Sequence, residues 1–325
     1  MAETVALGAL SVRVEPPVTV LIAVLLDAAI GEPPEAIHPV ALFGRAISVL
    51  DRWWSTSRLV GVLVAVIAPA SVATVAWLAV AFLPSLAAVV LAGLLLFSSI
   101  SLRRLLENAR AVLEASETDP ERAREQLPAL VGRNPEPLAP TQIRSGAVES
   151  LAENLADGFV APLGAFVVGA QLSLSVGIGA AVWVKAVNTL DSMLGYREKP
   201  IGWASARLDD LVMWVPARVT AVLLAIAGRN PGALWRARDF RDRPSSPNSG
   251  WPMATLAVIL DIRLEKPGAY VLNPDAPLPN TEVATAAIRV VGIAGVIAGL
   301  VSVSLVAVPL ASDVPLLMVA GVAQC

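Results

Sequence analysis

Glu149, Glu153 and Asp157 recur at i, i+4 and i+8, so on a helix they share one face, with Asn154 beside it. Three like charges stacked this way repel one another in an isolated helix, and an apolar segment follows them directly. Carboxylates at a membrane edge need a cation, and the candidates are a metal ion, an arginine cluster or a charged substrate. A solvated helical face is the plainer reading, but it leaves the adjoining apolar run unexplained. The stripe points to an enzyme at a membrane. Glu153 and Asp157 are candidate metal ligands, and Glu149, Glu153 and Asn154 are candidate catalytic groups.

Lys185, Asn188 and Asp191 recur every third residue after a second apolar run and form one polar stripe on a helix. That pattern suits phosphate or carboxylate contacts by the lysine, oriented by its amide and carboxylate neighbours. Snorkelling by Lys185, with Asp191 as a cap, is the structural alternative. Arg207, Asp209, Asp210 and Arg218 extend the polar set. His38 stands in a turn-rich stretch with Glu32, Pro33, Pro34 and Arg45, where a histidine bonded to backbone at a helix-ending turn is the plain reading. Pro247, Asn248, Ser249 and Gly250 make a turn whose N–H groups could cradle an anion, although a plain tight turn accounts for them equally well.

Composition sets the surroundings of these groups. The 325 residues are 56% hydrophobic and 16% charged, where a soluble domain would carry about 25% charge. The net charge of -3, with no basic patch interleaved with aromatics, gives no case for nucleic acid. A single histidine rules out a site built on two or three imidazoles, and a single cysteine, Cys325, rules out an internal disulfide or a thiolate metal cluster. The first apolar run, 18–26, has no small-residue cleavage pattern and is expected to stay on the protein.

The elements follow from the apolar runs. Residues 59–82 carry no charge and exceed the roughly 20 residues of one crossing. Pro84 breaks the chain before a second run, so 59–101 reads as a helical hairpin. Arg45, Arg52 and Arg58 precede it, and Arg103, Arg104 and Arg110 follow it, which places both ends in the cytoplasm. Residues 102–157 read as a soluble helical arm, 185–285 as polar site-forming segments, with 229–280 irregular, and 288–310 as the last span. The stretch 158–183 is ambiguous: rich in glycine and serine, it is either one crossing or a broken, re-entrant pair of half-helices. Because the polar residues on its two sides look like one site, a non-crossing form, or a site reached from within the bundle, is favoured. The expected fold class is all-α: one polytopic integral-membrane helical bundle over 1–325, with a short cytoplasmic helical arm and irregular loops. Most of the eight tryptophans read as interfacial anchors. There is no P-loop, no Rossmann fingerprint and no H-E-x-x-H.

Taken together, the clusters resemble one family. Asp27, Gly31, Glu32, Pro33, His38, Pro39, Gly44 and Arg45 come first, then Arg144, Glu149, Ser150, Glu153, Asn154, Asp157, Gly158 and Pro162. Next come Lys185, Asn188, Thr189, Asp191, Ser192, Gly195 and Arg197, then Arg207, Asp209, Asp210 and Arg218, and last Pro247, Asn248, Ser249, Gly250, Trp251 and Pro252. Their order and spacing over about 20–310 are similar to the CobD/CbiB family of cobalamin biosynthesis, the adenosylcobinamide-phosphate synthases. The resemblance implies an ATP-dependent amide ligase, with Mg²⁺, that joins adenosylcobyric acid to (R)-1-aminopropan-2-ol or its O-phosphate. It implies catalytic roles for Lys185, Asn188 and Asp191 beside the acidic helix. It also implies substrate or nucleotide binding by His38, Arg45, Arg144, Arg197, Asp209, Asp210, Arg218 and Asn248. The corrinoid, the amine and membrane lipid are the implied partners, other late corrinoid-pathway membrane enzymes are compatible ones, and the implied location is the cell membrane, multi-pass. Arg133, Asn134 and Pro135 stand where the family usually has Arg-Asp-Thr. The competing reading is a non-catalytic transporter or assembly partner of corrinoid enzymes, against which no inverted repeat is visible.

Overall fold

The computed structural model describes residues 14–54, 57–130, 138–195 and 199–308. Helix α1 (Glu15–Ile30) is followed by α2 (Pro39–Trp54), α3 (Arg58–Ala81) and α4 (Ser85–Phe97). The long apolar α3 starts where Ser57 accepts the Val60 N–H at 3.2 Å, and Pro84 separates it from α4, as the hairpin reading requires. Large apolar side chains on α3 and α4 stay exposed, among them Leu59, Val66, Val75 and Leu86. On helices of this composition such a surface suits hydrocarbon, not water.

Four helical stretches are long and apolar enough to cross a membrane: Arg58–Ala81, Ser85–Thr118, Pro140–Ala170 and Thr281–Ala307. A fifth is possible if Pro200–Val212 and Trp214–Ala227, bent by 48° at their junction, count as one span. The fold is an all-α polytopic membrane bundle.

The arm is packed into this bundle. Helix α5 (Leu102–Thr118) buries Leu105, Ala109, Val112 and Leu113, and it lies against α7 (Pro140–Leu155) and α14 (Thr281–Ala307). Its first turn is capped from outside: the buried Asp27 carboxylate of α1 accepts the Arg103 N–H at 3.2 Å. Arg103 returns the favour, donating to the Ala28 and Ala29 carbonyls at the end of α1 at 2.8 and 2.6 Å. The short α6 (Pro120–Gln126) follows, capped by Asp119.

The ambiguous stretch 158–183 is a hairpin of two helices. From α7 the chain passes through one π-helical turn, Ala156–Val160, into α8 (Ala161–Ala170), turns at 171–173, and comes back as α9 (Leu174–Leu194). Glycine makes the return tight, since a Cβ on Gly169 would lie 2.9 Å from the Gly177 Cα. The run from Asp157 to Gln171 rises about 21 Å, and that from Ser173 to Lys185 returns about 18 Å, at about 1.5 Å per residue. The hairpin thus brings Lys185 back to the depth of Asp157.

Helices α10 (Trp203–Val212) and α11 (Trp214–Ala227) follow, then α12 (Ala233–Ala237) and α13 (Gly250–Leu260). The segment 229–280, read from sequence as irregular, also holds an antiparallel pair, β1 (Leu264–Lys266) with β2 (Tyr270–Leu272), in register Leu264 to Leu272. Each strand is three residues long, too short for a period-2 pattern to show in the sequence. Helix α14 starts earlier than the expected 288, at Thr281, because Asn280 accepts the Val283 N–H at 2.8 Å.

Candidate functional site

The polar centre of the molecule lies where the π-turn, α9 and α10 meet. The Asn188 side chain lies beside both Asp157 and Asp209. Lys185, about one helical turn before it on α9, is in electrostatic contact with Asp157 and with Glu32 from the loop after α1. Glu153 faces Asp157 and Asp209, and Asp191 faces Asp209 and Asp210. The acidic helix and the Lys185, Asn188 and Asp191 stripe are brought together. A π-turn inserts an extra residue into the helical register, which re-aims Asp157 toward α9, and such turns recur at functional sites.

Two oxygens in this cluster, Asp191 Oδ1 and Asp209 Oδ1, are buried without a hydrogen-bond partner among the described residues. Orphaned acceptors beside other carboxylates suit a hard cation with oxygen ligands. No group of three His, Cys, Asp or Glu among the described residues converges closely enough to hold a metal by itself. Magnesium does not require one, since it is commonly held by one or two carboxylates together with waters and substrate phosphates. The donor set fits that mode.

Glu149 belongs elsewhere. It is 1% exposed, and its carboxylate accepts the Ser145 hydroxyl at 3.0 Å and the Tyr270 hydroxyl at 2.7 Å, while Ser145 also accepts the Glu265 N–H at 2.7 Å. This network ties the β-hairpin to α7. A 3.6-residue helix turns about 40° between residues four apart, so the stripe winds around the helix and Glu149 meets a different neighbour from Asp157. Asn154 reaches the Leu130 carbonyl at 3.4 Å, and Arg144 donates to the Pro279 carbonyl at 2.9 Å. Both hold neighbouring segments in place.

Asn248 and Arg218 support the cluster from behind. The Asn248 amide donates to the Asp210 carbonyl at 2.7 Å and accepts from Arg218 at 3.1 Å, so it fixes the part of α10 that carries Asp209 and Asp210. Arg218 lies over the Trp214 ring at 4.1 Å, and Arg241 over Trp251 at 4.4 Å. A Cβ on Gly250 would overlap the Arg241 carbonyl oxygen, so only glycine lets this turn close. Gly250→Ala is expected to destabilise the protein by about 1–3 kcal/mol, the usual range for overpacking. A melting temperature in detergent equal to that of the parent would contradict this.

A cavity of about 580 Å³ opens on the other side of Lys185, lined by Glu32, Glu35 and His38 and by Ser101, Arg104 and Glu107. His38 Nδ1 accepts the Val40 N–H at 3.2 Å and so caps α2, as the turn reading expected. That bond leaves the proton of the neutral ring on Nε2. Burial, the largest influence, and the Lys185 charge lower the imidazole pKa below its ordinary value despite Glu32, so His38 is neutral at pH 7. Arg45 donates to the Glu35 carbonyl at 3.3 Å on the exposed side of the same loop. Arg197, like Arg133 and Asn134, lies outside the described residues. A second, mostly apolar cavity of about 350 Å³ between α2, α3, α4 and α9 meets the first at Val40, Ser98 and Lys185.

The sequence reading did not single out Arg104, Glu107, Ser98 or Ser101 as site residues. The paired arginines after the hairpin served there only as a topology signal. That α5 turns one face toward the loop at 31–38 is a tertiary fact.

Fold and site define a helical membrane protein whose buried carboxylates and lysine adjoin a large polar cavity. A family model described as CobD/Cbib protein matches residues 20–294. The chain is 36% identical over 304 residues to a probable cobalamin biosynthesis protein CobD of Methanothrix thermoacetophila, covering 88% of this chain and 96% of that one. It is 39% identical over 274 residues to the cobalamin biosynthesis protein CobD of Geobacter metallireducens, covering 79% and 84%. With that of Rhodobacter capsulatus it shares 35% over 283 residues, covering 80% and 88%. No solved structure matches. The chain belongs to the CobD/CbiB family, and its role lies in cobalamin biosynthesis.

Proposed function

We propose that the protein is an ATP-dependent amide ligase that joins the propionate carboxylate of adenosylcobyric acid to (R)-1-aminopropan-2-ol or its O-phosphate. Amide formation from a free carboxylate is uphill in water, so the carboxylate must first be activated. In the proposed course its oxygen attacks the γ-phosphorus of ATP, and ADP leaves. The amine nitrogen then attacks the acyl carbon, inorganic phosphate leaves, and the nitrogen gives up its proton.

The observation that carries this reading is the position of Lys185, between a carboxylate cluster and a cavity of about 580 Å³. There its ammonium neutralises phosphate charge that develops during transfer, where low dielectric makes the interaction strong. Asn188, beside Asp157 and Asp209, offers both carboxylates an amide donor. Asp157 and Glu153 would hold Mg²⁺, which when bound supplies charge neutralisation on the phosphates of ATP. Neutral His38 presents an N–H donor to the cavity.

The test is turnover of the purified protein in detergent with ATP, Mg²⁺, adenosylcobyric acid and each amine, followed by mass spectrometry of the corrinoid. An ATP-dependent amide product is expected. Absence of product with both amines sinks the ligase and favours a transport or assembly role.

The same reading places 45–58 and 102–157 in the cytoplasm, where ATP is. Glu117 is exposed on α5 and makes a suitable labelling position. In a Cys325→Ser background, Glu117→Cys is expected to resist an impermeant thiol reagent added outside intact cells; labelling from outside reverses the orientation.

A further inference from the structure

The smaller cavity, of about 350 Å³, takes no part in the proposed chemistry except where it reaches Lys185. Its wall is mostly hydrocarbon, with Phe43 on α2, Ala76 on α3, Leu91 and Leu95 on α4, and Ala186 on α9. Four hydroxyls also line it, and each donates to a carbonyl of its own helix. Ser71 bonds Ala68, Ser98 and Ser99 both bond Leu95, and Thr189 bonds Lys185, all at 2.8 Å. The Lys185 ammonium, where the two cavities meet, faces Asp157 and Glu32. A buried water makes about three hydrogen bonds, and away from Lys185 the described wall has no free donor for one. The cavity disfavours water and polar ligands along most of its length.

It opens sideways. Ser71, Val75 and Ala79 line it and are also exposed, and the same stretch of α3 turns Trp77 and Leu78 outward. That stretch is about 12 Å long and belongs to a helix apolar enough to cross a membrane, so hydrocarbon lies against the mouth. An unfilled apolar space forfeits dispersion contacts along its lining, and a flexible chain without polar atoms restores them. We propose that the cavity between α3, α4 and α9 is an intramembrane lipid site, which takes one acyl chain of a membrane phospholipid from the side and lays it against Ala186. The site is separate from the ligase reading, since substrates belong to the polar cavity and the lipid to the apolar one. A chain held there also keeps water from one side of Lys185, where low dielectric strengthens its attraction to Asp157.

Photo-crosslinking reads the occupant directly and needs no turnover. The full chain in phosphatidylcholine nanodiscs, doped with a phosphatidylcholine carrying a mid-chain diazirine, would be irradiated, digested and analysed by mass spectrometry. Bulk lipid is expected to label Leu300, which is exposed on α14. Label on Ala186, which is buried on α9, is expected from a chain inside the cavity. Ala79→Phe narrows the mouth at an exposed position, and Ala76→Phe fills the cavity from a buried one. Both are expected to cut the Ala186 label, relative to Leu300, at least fivefold. Ala79→Phe is expected to melt with the parent, because its side chain is exposed, and so excludes misfolding as the cause. The proposal is overturned if Ala186 in the parent takes no label, or if its label persists undiminished in folded Ala79→Phe. It is equally overturned if ATP or adenosylcobyric acid displaces the label from the parent and binds more weakly to Ala79→Phe, which would give the cavity to a substrate.

Discussion

Lys185→Met is expected to lower kcat/KM for ATP at least tenfold, about 1.4 kcal/mol or more of lost transition-state stabilisation. Methionine keeps the length and apolar stem of lysine and removes the charge alone. The lysine sits beside Asp157 and Glu32 and next to both cavities, so no other described cation occupies the same junction. Arg104 lines only the larger cavity, and Arg207 pairs with Asp210 at 3.7 Å on an exposed side chain. Removing the ammonium also leaves Asp157, Glu153 and Asp209 facing one another with less compensation, which destabilises the cluster. The two effects come apart in one comparison. A melting temperature in nanodiscs reports the structural cost, and turnover at ATP well below KM on the folded fraction reports the catalytic one. Near-parental turnover by folded Lys185→Met would return this stripe to a structural role.

How much of this arrangement is legible in the sequence depends on the range of the interaction. The polar stripe of Lys185, Asn188 and Asp191 is local: three-residue spacing on one helix puts the groups on one side whatever surrounds them. The hairpin of α3 and α4 is equally local, since apolar length and Pro84 suffice. The return of α8 into α9 is not. It turns on Gly169 and Gly177 meeting across the bend, and in sequence those glycines fit a small-residue crossing just as well. Glu149 shows the limit of the stripe argument. Spacing of four placed it with Glu153 and Asp157, but helical drift and the π-turn sent it to Tyr270, a residue far along the chain on a strand too short to foresee. Asn248 was legible as a turn residue only. Its hold on Asp210 depends on α13 lying beside α11, which no local signal states.

Asp157→Asn should raise the Mg²⁺ concentration for half-maximal turnover at least tenfold, and the contrast with Glu149→Gln makes the prediction sharp. Asparagine keeps the shape and its carbonyl oxygen can still accept from a neighbouring amide, so the change isolates the charge. A carboxylate that supplies one of only one or two protein ligands to Mg²⁺ cannot be replaced by a neutral amide without weakening the ion. Because Asp157 faces Glu153 and Asp209, its neutralisation also relieves repulsion, and the melting temperature is expected to hold or rise. Loss of activity from a more stable protein is a signature that misfolding does not produce. Glu153→Gln should shift the Mg²⁺ requirement in the same direction. Glu149→Gln should not, because the Glu149 carboxylate is bonded to Ser145 and Tyr270. Its expected cost is structural, about 1–3 kcal/mol from disrupting charge-assisted bonds in a buried network, read as a lower melting temperature at unchanged Mg²⁺ dependence. Equal Mg²⁺ shifts in Glu149→Gln and Asp157→Asn would mean that the acidic helix acts as one stripe after all, and the separation of a structural carboxylate from the metal-facing pair would fall.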